Sequence, residues 1–277
     1  MTDWKFALSS AKTAPNSAPI LLKGEITDNL WTAARLGYDA IEIHTRENVE
    51  LDIPAIRSAS EESGCRVGMI VTGRLNTEVG ASLVNPNPIL EQMAMKGMEK
   101  YIHMAGELGA DIVLGWIRGK APDGKAREIY VEKLGERICK LGECAKESNV
   151  KINIEVINRY ETNVFVNADE TLEFLHTYNP KNCLVHLDTF HMGIEETDPT
   201  EAIQKCKGML GYVHVADNTR IFPGKGTFNF KKIFRALQEI GYHGLISVEC
   251  LPKPNEMEAA QKALENIKSI VAQLQDD

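Results

Sequence analysis

The sequence lacks the features that mark several special classes of protein. Its apolar runs stay well short of the roughly eighteen residues that a membrane-spanning helix needs, and no positively charged stretch followed by an apolar one opens the chain. Its 6 cysteines are scattered without a CxxC pair, in a chain of 277 residues that does not need a disulfide scaffold. These absences predict a cytoplasmic protein with reduced thiols and no membrane partner.

Basic residues and histidines are also few. Lys and Arg total 31 against 39 Asp and Glu, which gives a formal net charge of -8, and there are 7 histidines. A chain with this charge on average repels a nucleic-acid backbone, so we expect no nucleic-acid partner. No G-x-G-x-x-G follows the first apolar run, which disfavours a dinucleotide-binding open sheet.

Short apolar runs alternate with longer segments of helical period, a pattern typical of repeated βα units and a parallel sheet. The predicted strands are residues 6–10, 40–44, 66–73, 111–117, 151–156, 183–188, 211–217 and 244–250. Helices are expected between them, the last from about Glu256 to Gln273. The predicted fold class is therefore α/β, a (β/α)8 TIM barrel forming a single domain over residues 1–277, with a doubly wound sheet as the alternative.

A weak internal repeat supports the barrel. Three similar segments each end a helical pattern in a glycine and re-enter an apolar run within a few residues, at Gly37, Gly109 and Gly241. We expect a left-handed backbone at these glycines, because that conformation commonly ends a helix.

Four polar side chains stand at or near the carboxyl ends of consecutive predicted strands: Glu155, Asp188, His214 and Glu249. In a parallel barrel these ends meet at one rim, where catalytic residues lie. Burying a lone carboxylate is costly, so carboxylates that converge favour a bound cation. The sequence therefore predicts a metal site, although each acid taken singly could be a salt-bridged rim residue.

The ligand types indicate which metal the site would take. His214 lies within an apolar strand, where a lone histidine is more often a hydrogen-bonded core residue. Three oxygen ligands beside one imidazole suit manganese, magnesium or cobalt better than structural zinc, which prefers thiolate and imidazole. We predict one divalent ion, with Mn²⁺ favoured over Mg²⁺ and Co²⁺.

The second half of the chain resembles the D-tagatose 3-epimerase group of sugar isomerases, within the xylose-isomerase-like barrel superfamily. The resemblance is dense over residues 150–255 and rests on the segments IEVINRYET, HLDTFHMGIEE, HVADNTRIFPGKG and EIGYHGLISVEC. It implies an isomerase that epimerises a small sugar or sugar acid, and a homodimer or homotetramer.

The resemblance also implies roles for individual residues. Glu155 and Glu249 would bind the metal and flank the substrate, one removing the proton from carbon 3 and the other returning it on the opposite face. The metal would neutralise the enediolate that forms. Glu161, His191 and Arg220 match positions that hold the first oxygens of the substrate. Salt-bridge roles for Glu161 and Arg220, and a helix-start role for His191, are the alternatives.

Two loops after the predicted strands carry fixed cations. Residues 73–88, expected to be irregular, include Arg74, and the next loop offers Trp116, Arg118 and Lys120. Cations on the catalytic face of an acidic protein would favour a carboxylate or phosphate at the far end of the substrate. We therefore hypothesise that these residues contact a keto-sugar acid or a sugar phosphate. The PGKG turn at residues 223–226 could cradle phosphate, but such a turn needs no ligand.

Three other functions stay open. An aldose-ketose isomerase would use the same enediolate and metal. A phosphodiesterase resembling endonuclease IV would share the barrel but needs more histidines and a basic groove. A catalytically silent sugar-binding barrel would not need both Glu155 and Glu249.

Overall fold

Nine parallel strands build the sheet of the computed structural model, which describes residues 4–274. The strands are β1 (Lys5–Ala11), β2 (Leu22–Lys23), β3 (Ala40–His44), β4 (Arg66–Val71), β5 (Asp111–Leu114), β6 (Ile152–Glu155), β7 (Cys183–Asp188), β8 (Leu210–Val215) and β9 (Leu245–Val248). Their order is β2-β1-β3-β4-β5-β6-β7-β8-β9, and the β1–β9 pairing closes the sheet into a barrel of eight strands, with the short β2 beside β1. The chain is a (β/α)8 TIM barrel in a single domain, as predicted.

Helices surround the strands. They are α1 (Ile26–Leu36), α2 (Ile53–Ser63), α3 (Arg74–Val79), α4 (Pro88–Leu108), α5 (Lys125–Glu147), α6 (Ala168–Tyr178), α7 (Thr189–Glu195), α8 (Pro199–Lys205), α9 (Phe230–Glu239) and α10 (Glu256–Gln273), with a 3₁₀ helix at Trp116–Arg118. Asparagine side chains start several of them: Asn167 accepts from the backbone N–H of Glu170, and Asn255 from that of Glu258. Such caps satisfy N–H groups that have no partner inside the helix.

The strand register brings the predicted metal ligands together. Asp188 pairs with His214 across β7 and β8, and Glu155 pairs with His186 across β6 and β7. Glu249 directly follows β9, next to β8 in the sheet. Because every strand runs in the same direction, these side chains meet at one rim of the barrel.

Two apolar cores stabilise this arrangement. A small one lies inside the barrel and contains Ala7, Ala40, Met69, Val71, Val113, Tyr212 and Leu245. A much larger one packs the outer face of the strands against the helices and includes Phe230, Phe234 and Leu237 of α9. Burying each large apolar side chain contributes about 1.5–3 kcal/mol, so the helices hold the barrel closed from outside.

All eight predicted strands are present, but the one expected at residues 111–117 ends at Leu114, and Trp116 and Ile117 belong to the 3₁₀ helix. The strands at residues 40–44 and 183–188 have the predicted bounds, as does the last helix. Gly37, Gly109 and Gly241 have φ values of 88°, 64° and 70°. The segment expected to be irregular, residues 73–88, contains α3, because it folds back beside the 3₁₀ helix. Residues 1–3 and 275–277 of the predicted domain lie outside the described residues.

All 6 cysteines are free, and Cys65, Cys183, Cys206 and Cys250 are buried. Burial raises the pKa of Cys65 and of Cys206 to about 12 in each case, which keeps these thiols protonated. Over residues 4–274, the helices are all too short or too polar to span a membrane.

Candidate active site

The four predicted ligands form one buried cluster at the barrel rim, which we call the quartet: Glu155, Asp188, His214 and Glu249. One ligand atom from each lies within 4.8 Å of the others. The Nδ1 atom of His214 is 3.7 Å from a Glu155 oxygen, 3.8 Å from an Asp188 oxygen and 3.6 Å from a Glu249 oxygen. These distances are too long for hydrogen bonds, but they suit four atoms arranged around a shared centre.

Two atoms of the quartet have no hydrogen-bond partner although they are buried: Asp188 Oδ2 and His214 Nδ1. Buried polar atoms are almost always paired, so two such atoms that face each other indicate a missing partner. The other Asp188 oxygen accepts from the backbone N–H of Phe190, which fixes the orientation of the carboxylate. Three carboxylates and one imidazole fit a divalent cation such as manganese or magnesium.

A fifth group that the sequence reasoning missed holds His214 in place. Glu42 on β3 is fully buried, and its Oε2 accepts from His214 Nε2 at 2.8 Å and from the Tyr212 hydroxyl at 2.7 Å. Its Oε1 lies 3.0 Å from Nε2 of His44. With Nε2 of His214 donating to Glu42, the Nδ1 lone pair faces the quartet, the usual arrangement around a metal-binding histidine.

The charges of the cluster shift several pKa values. Burial disfavours the imidazolium, but Glu42 and Glu249 outweigh burial and raise the pKa of His214 well above its usual range. Burial also opposes the ionised form of Glu42, yet contacts with His214 and His44 lower the pKa of Glu42 well below its usual value. The cluster therefore attracts positive charge strongly, whether as a proton or as a metal cation.

The two predicted acid-base residues are placed in different environments. Burial raises the pKa of Glu155, but His214 and His186 outweigh burial and lower it below its usual range. For Glu249, burial and the nearby charge of Glu155 prevail over His214 and Arg220, and its pKa is raised. A pair of carboxylates whose pKa values are driven apart is the arrangement that a proton donor and a proton acceptor require.

Three further predicted residues lie next to the quartet. Arg220 donates from Nη2 to Glu249 at 2.8 Å, and its Nη1 is 3.6 Å from Glu161. His191 is buried with its Nε2 3.9 Å from Asp188 Oδ2, and its Nδ1 accepts from the side chain of Asn158 at 2.6 Å. Asn158 donates to Glu161 as well, so one amide fixes both side chains.

A cavity of about 770 Å³, the catalytic cavity, opens above the quartet. Glu155, Glu249, Glu161, His191 and Arg220 line it on one side. The loop between β1 and β2, together with Trp116, Ile157 and Leu251, closes other sides with mostly small or apolar side chains. The catalytic cavity is within the range of small-molecule sites.

Arg74, one of the predicted loop cations, is not free to meet an anion in the catalytic cavity. Arg74 lines the catalytic cavity, but it pairs with Glu78 at 2.6 Å and donates to the carbonyl of Thr13 at 3.1 Å. Trp116 also lines the catalytic cavity, and 37% of its surface is exposed. Arg74 therefore organises the wall, and its charge is already compensated.

Arg118 lies in a different place from the one expected. It is fully buried behind the catalytic cavity, where its guanidinium donates to the backbone carbonyls of Leu114, Gly115, Glu155, Val164 and Phe165. Burial lowers its pKa to about 10. A substrate in the catalytic cavity cannot contact Arg118. The predicted role of Arg118 as a substrate ligand is therefore wrong.

The PGKG turn is held by protein groups. The Asp217 carboxylate accepts from the backbone N–H groups of Gly224, Gly226 and Phe228. These donors are the ones that a phosphate would have to use, so the turn is a structural feature.

The model of the xylose isomerase-like TIM barrel family matches residues 31–270 of the chain. The protein belongs to this family. An L-ribulose 3-epimerase of Methylomonas sp. (strain DH-1) is 30% identical over 220 residues, which are 78% of this chain and 75% of that protein. A D-psicose 3-epimerase of Enterocloster bolteae is 36% identical over 225 residues, which are 77% of this chain and 73% of that protein.

Solved structures agree on the fold. A D-allulose 3-epimerase from Methylomonas sp., crystallised in complex with D-allulose, superposes with a TM-score of 0.81 at 24% identity, over 97% of this chain and 98% of that one. The predicted resemblance is confirmed. The prediction of an isomerase-class enzyme is confirmed as well, since curated relatives are ketose 3-epimerases.

Proposed function

We propose that the protein is a metal-dependent epimerase acting at carbon 3 of a ketose. The observation that carries this proposal is the pair of buried carboxylates, Glu155 and Glu249, which line the catalytic cavity within a quartet that has unpartnered ligand atoms. Binding alone does not require two such groups beside a substrate. The names of the relatives support the same chemistry.

The quartet would hold one divalent ion, with manganese our first choice. When bound, the ion supplies an electrophile that stabilises negative charge developing on the substrate oxygens. His214 would offer Nδ1, and Glu42 fixes that orientation by accepting from Nε2. Asp188 would offer Oδ2, because its other oxygen is bonded to the backbone.

The proton transfers belong to the two glutamates. One carboxylate takes the proton from carbon 3, the C–H electrons form the enediolate, and the other carboxyl group delivers a proton to the opposite face of the same carbon. Arg220 is held by Glu249 and Glu161 and presents a permanent charge to the substrate oxygens. His191, fixed by Asn158, is placed to donate from Nε2.

The substrate itself is proposed to be an uncharged ketose. The sequence favoured an anionic sugar because of its loop cations, but Arg74 is paired with Glu78 and Arg118 is buried. The third cation, Lys120, does not line the catalytic cavity. Arg220 already faces Glu249 and Glu161. A homodimer or homotetramer stays a prediction, as does location in the cytoplasm.

Proton exchange followed by NMR tests the proposal. Chelator-treated protein reloaded with Mn²⁺ is incubated with ketoses in deuterated water, and deuterium is expected at carbon 3. Glu155→Gln and Glu249→Gln should each abolish epimerisation. Deuterium at carbon 1 instead of carbon 3 would identify an aldose-ketose isomerase, and normal turnover in both variants would exclude the two-base mechanism.

A further inference from the structure

A second cavity of about 380 Å³, which we call the side pocket, adjoins the catalytic cavity. Thr77, Trp116 and Glu161 line both of them. Trp116 therefore stands at the boundary between the two cavities. A ligand anchored at the quartet could extend past Trp116 into the side pocket.

The side pocket carries polar side chains around this indole, although most of its exposed surface is apolar. Besides the shared residues they consist of Asn76, Ser82, Gly119, Lys120 and Thr162. The Lys120 ammonium provides hydrogen-bond donors and the Glu161 carboxylate provides acceptors. The Asn76 amide and the Ser82 and Thr162 hydroxyls already donate to backbone carbonyls and can still accept. An aromatic ring adds apolar surface at low entropic cost, since it has only two side-chain torsions.

The loop that forms one wall is fixed before any ligand arrives. The Tyr130 hydroxyl donates to the carbonyl of Arg118, and Thr162 donates to that of Gly119. The Asn163 side chain accepts from the backbone N–H of Ala121 and donates to its carbonyl. A wall that is held on both flanks loses little conformational freedom when a ligand binds. Contacts between this wall and a ligand would therefore contribute to affinity at a low entropic cost.

The charges of the side pocket balance each other. Lys120 is exposed, and no carboxylate within residues 4–274 forms an ion pair with it. Glu161 lines the same pocket with the opposite charge, and the Arg220 guanidinium 3.6 Å from it is shared with Glu249. An anionic group would gain from Lys120 but would be repelled by Glu161, whereas a neutral polyol can accept from one and donate to the other.

The size of the side pocket also favours a neutral polyol. Its volume of about 380 Å³ falls in the range of sites for whole small molecules, about 300–1,000 Å³, and exceeds what a single carboxylate or phosphate fills. We propose that the side pocket is a subsite for a neutral glycosyl ring, attached to the ketose at the end of its chain remote from the carbonyl. This inference rests on the proposed function and names its substrate class.

The test compares three ketoses with the Mn²⁺-loaded protein: fructose, fructose 6-phosphate and 6-O-glucosyl-fructose. The readout is kcat/KM for deuterium incorporation at carbon 3. We expect the value for 6-O-glucosyl-fructose to exceed that for fructose at least about tenfold, the effect of a well-packed additional group. Equal values, or a preference for fructose, would overturn the subsite.

Two variants test which side chains cause the preference for the glucosyl substrate. Trp116→Ala should remove the advantage of the glucosyl substrate, and Lys120→Gln should reduce the ratio of the two kcat/KM values about threefold. Lys125→Gln is the matched control, because Lys125 is exposed at the start of α5 and lines neither cavity. Its ratio should equal that of the wild type.

The remaining outcomes separate the rival explanations. A preference for fructose 6-phosphate that is lost in Lys120→Gln would show an anion site and overturn the glycosyl subsite. If carbon 3 exchanges in none of the three ketoses, the proposed function fails. Calorimetric titration with 6-O-glucosyl-fructose then decides the subsite separately: binding weakened by Lys120→Gln supports it, and equal binding to both proteins overturns it.

Discussion

Glu42 determines how His214 meets the rest of the quartet. Within residues 4–274, Glu42 is the only acceptor bonded to Nε2 of His214. Its carboxylate also accepts from the Tyr212 hydroxyl and lies 3.0 Å from Nε2 of His44. Burial and the charge of Glu42 raise the pKa of Tyr212 well above its usual range, so that hydroxyl stays a donor. A carboxylate behind a metal-binding histidine makes the imidazole a stronger ligand.

We therefore expect Glu42→Gln to weaken metal binding about 10–100-fold, the usual cost of losing such a carboxylate. The amide can still accept a hydrogen bond, so the fold should survive while the negative charge behind the imidazole is lost. Isothermal titration of chelator-treated protein with Mn²⁺ measures the change. Glu239→Gln, at an exposed position on α9, is the control. An unchanged dissociation constant in Glu42→Gln would refute the role.

The sequence contains a signal for Glu42 that is easy to overlook. In the run AIEIH, Ala40, Glu42 and His44 alternate with isoleucines, and side chains two apart on a strand share a face. Ala40 belongs to the core inside the barrel, so Glu42 and His44 point inward as well. A single acid in an apolar strand was not informative until the closed barrel placed His214 of β8 beside it.

Arg118 was misplaced for a different physical reason. In the sequence it follows a strand within a polar loop, where an arginine is normally exposed. Its burial depends on residues 164 and 165, whose carbonyls it reaches from 46 and 47 positions away. No local pattern encodes that contact.

Among the elements, β5 and the 3₁₀ helix after it define the space available to Glu155. Between them lies Gly115, where an added Cβ would be 2.7 Å from Glu155 Oε2. Arg118, at the end of the 3₁₀ helix, donates to the carbonyls of Gly115 and Glu155 and so fixes the distance between the two chains. A glycine at this position leaves room for the carboxylate.

We expect Gly115→Ala to lower kcat for epimerisation about tenfold or more, because the Glu155 carboxylate must move away from the added methyl group. The colliding atom is the end of a flexible side chain, so the free energy of unfolding should fall by no more than about 1–2 kcal/mol. Steady-state kinetics and urea denaturation separate the two effects.

Gly73→Ala provides the comparison for this variant. An added Cβ there meets Trp116 at 3.4 Å, and the backbone at Gly73 is right-handed helical with φ of -58°, so alanine fits. Its kcat should change far less than that of Gly115→Ala. An equal loss of kcat in both variants would show that crowding of the Glu155 carboxylate does not cause the loss.

The predictability of the elements follows from their local signals. Strands β3 and β7 are apolar runs bounded by polar residues, and α10 begins at an asparagine cap, so periodicity and capping located them. Helix α3 has a single buried residue, Leu75, and gives no amphipathic pattern over its 6 residues. Its stability comes from contacts that the local sequence does not reveal.

At the scale of the whole molecule, the barrel concentrates charge that it cannot neutralise with its own side chains. Glu42, Glu155, Asp188 and Glu249 are all buried at one rim. Arg220 forms an ion pair with one of them, Glu249. Closing the barrel therefore brings together carboxylates that repel one another, and a divalent cation at the quartet would relieve this repulsion.

The stability of the fold should consequently depend on the metal. At a free Mn²⁺ concentration about 100 times the dissociation constant, binding to the folded state alone adds about 2.7 kcal/mol, which for a chain of this size raises Tm by about 5 °C or more. Scanning calorimetry of chelator-treated protein, with and without Mn²⁺, measures the shift.

Asp188→Asn keeps the bond to Phe190 but loses the charged ligand, so its Tm should not respond to Mn²⁺. Asp169→Asn, which removes only a surface ion pair with Lys205, should respond like the wild type. A full Mn²⁺-dependent shift in Asp188→Asn would show that the cation binds elsewhere, since nothing else in that variant replaces the lost carboxylate.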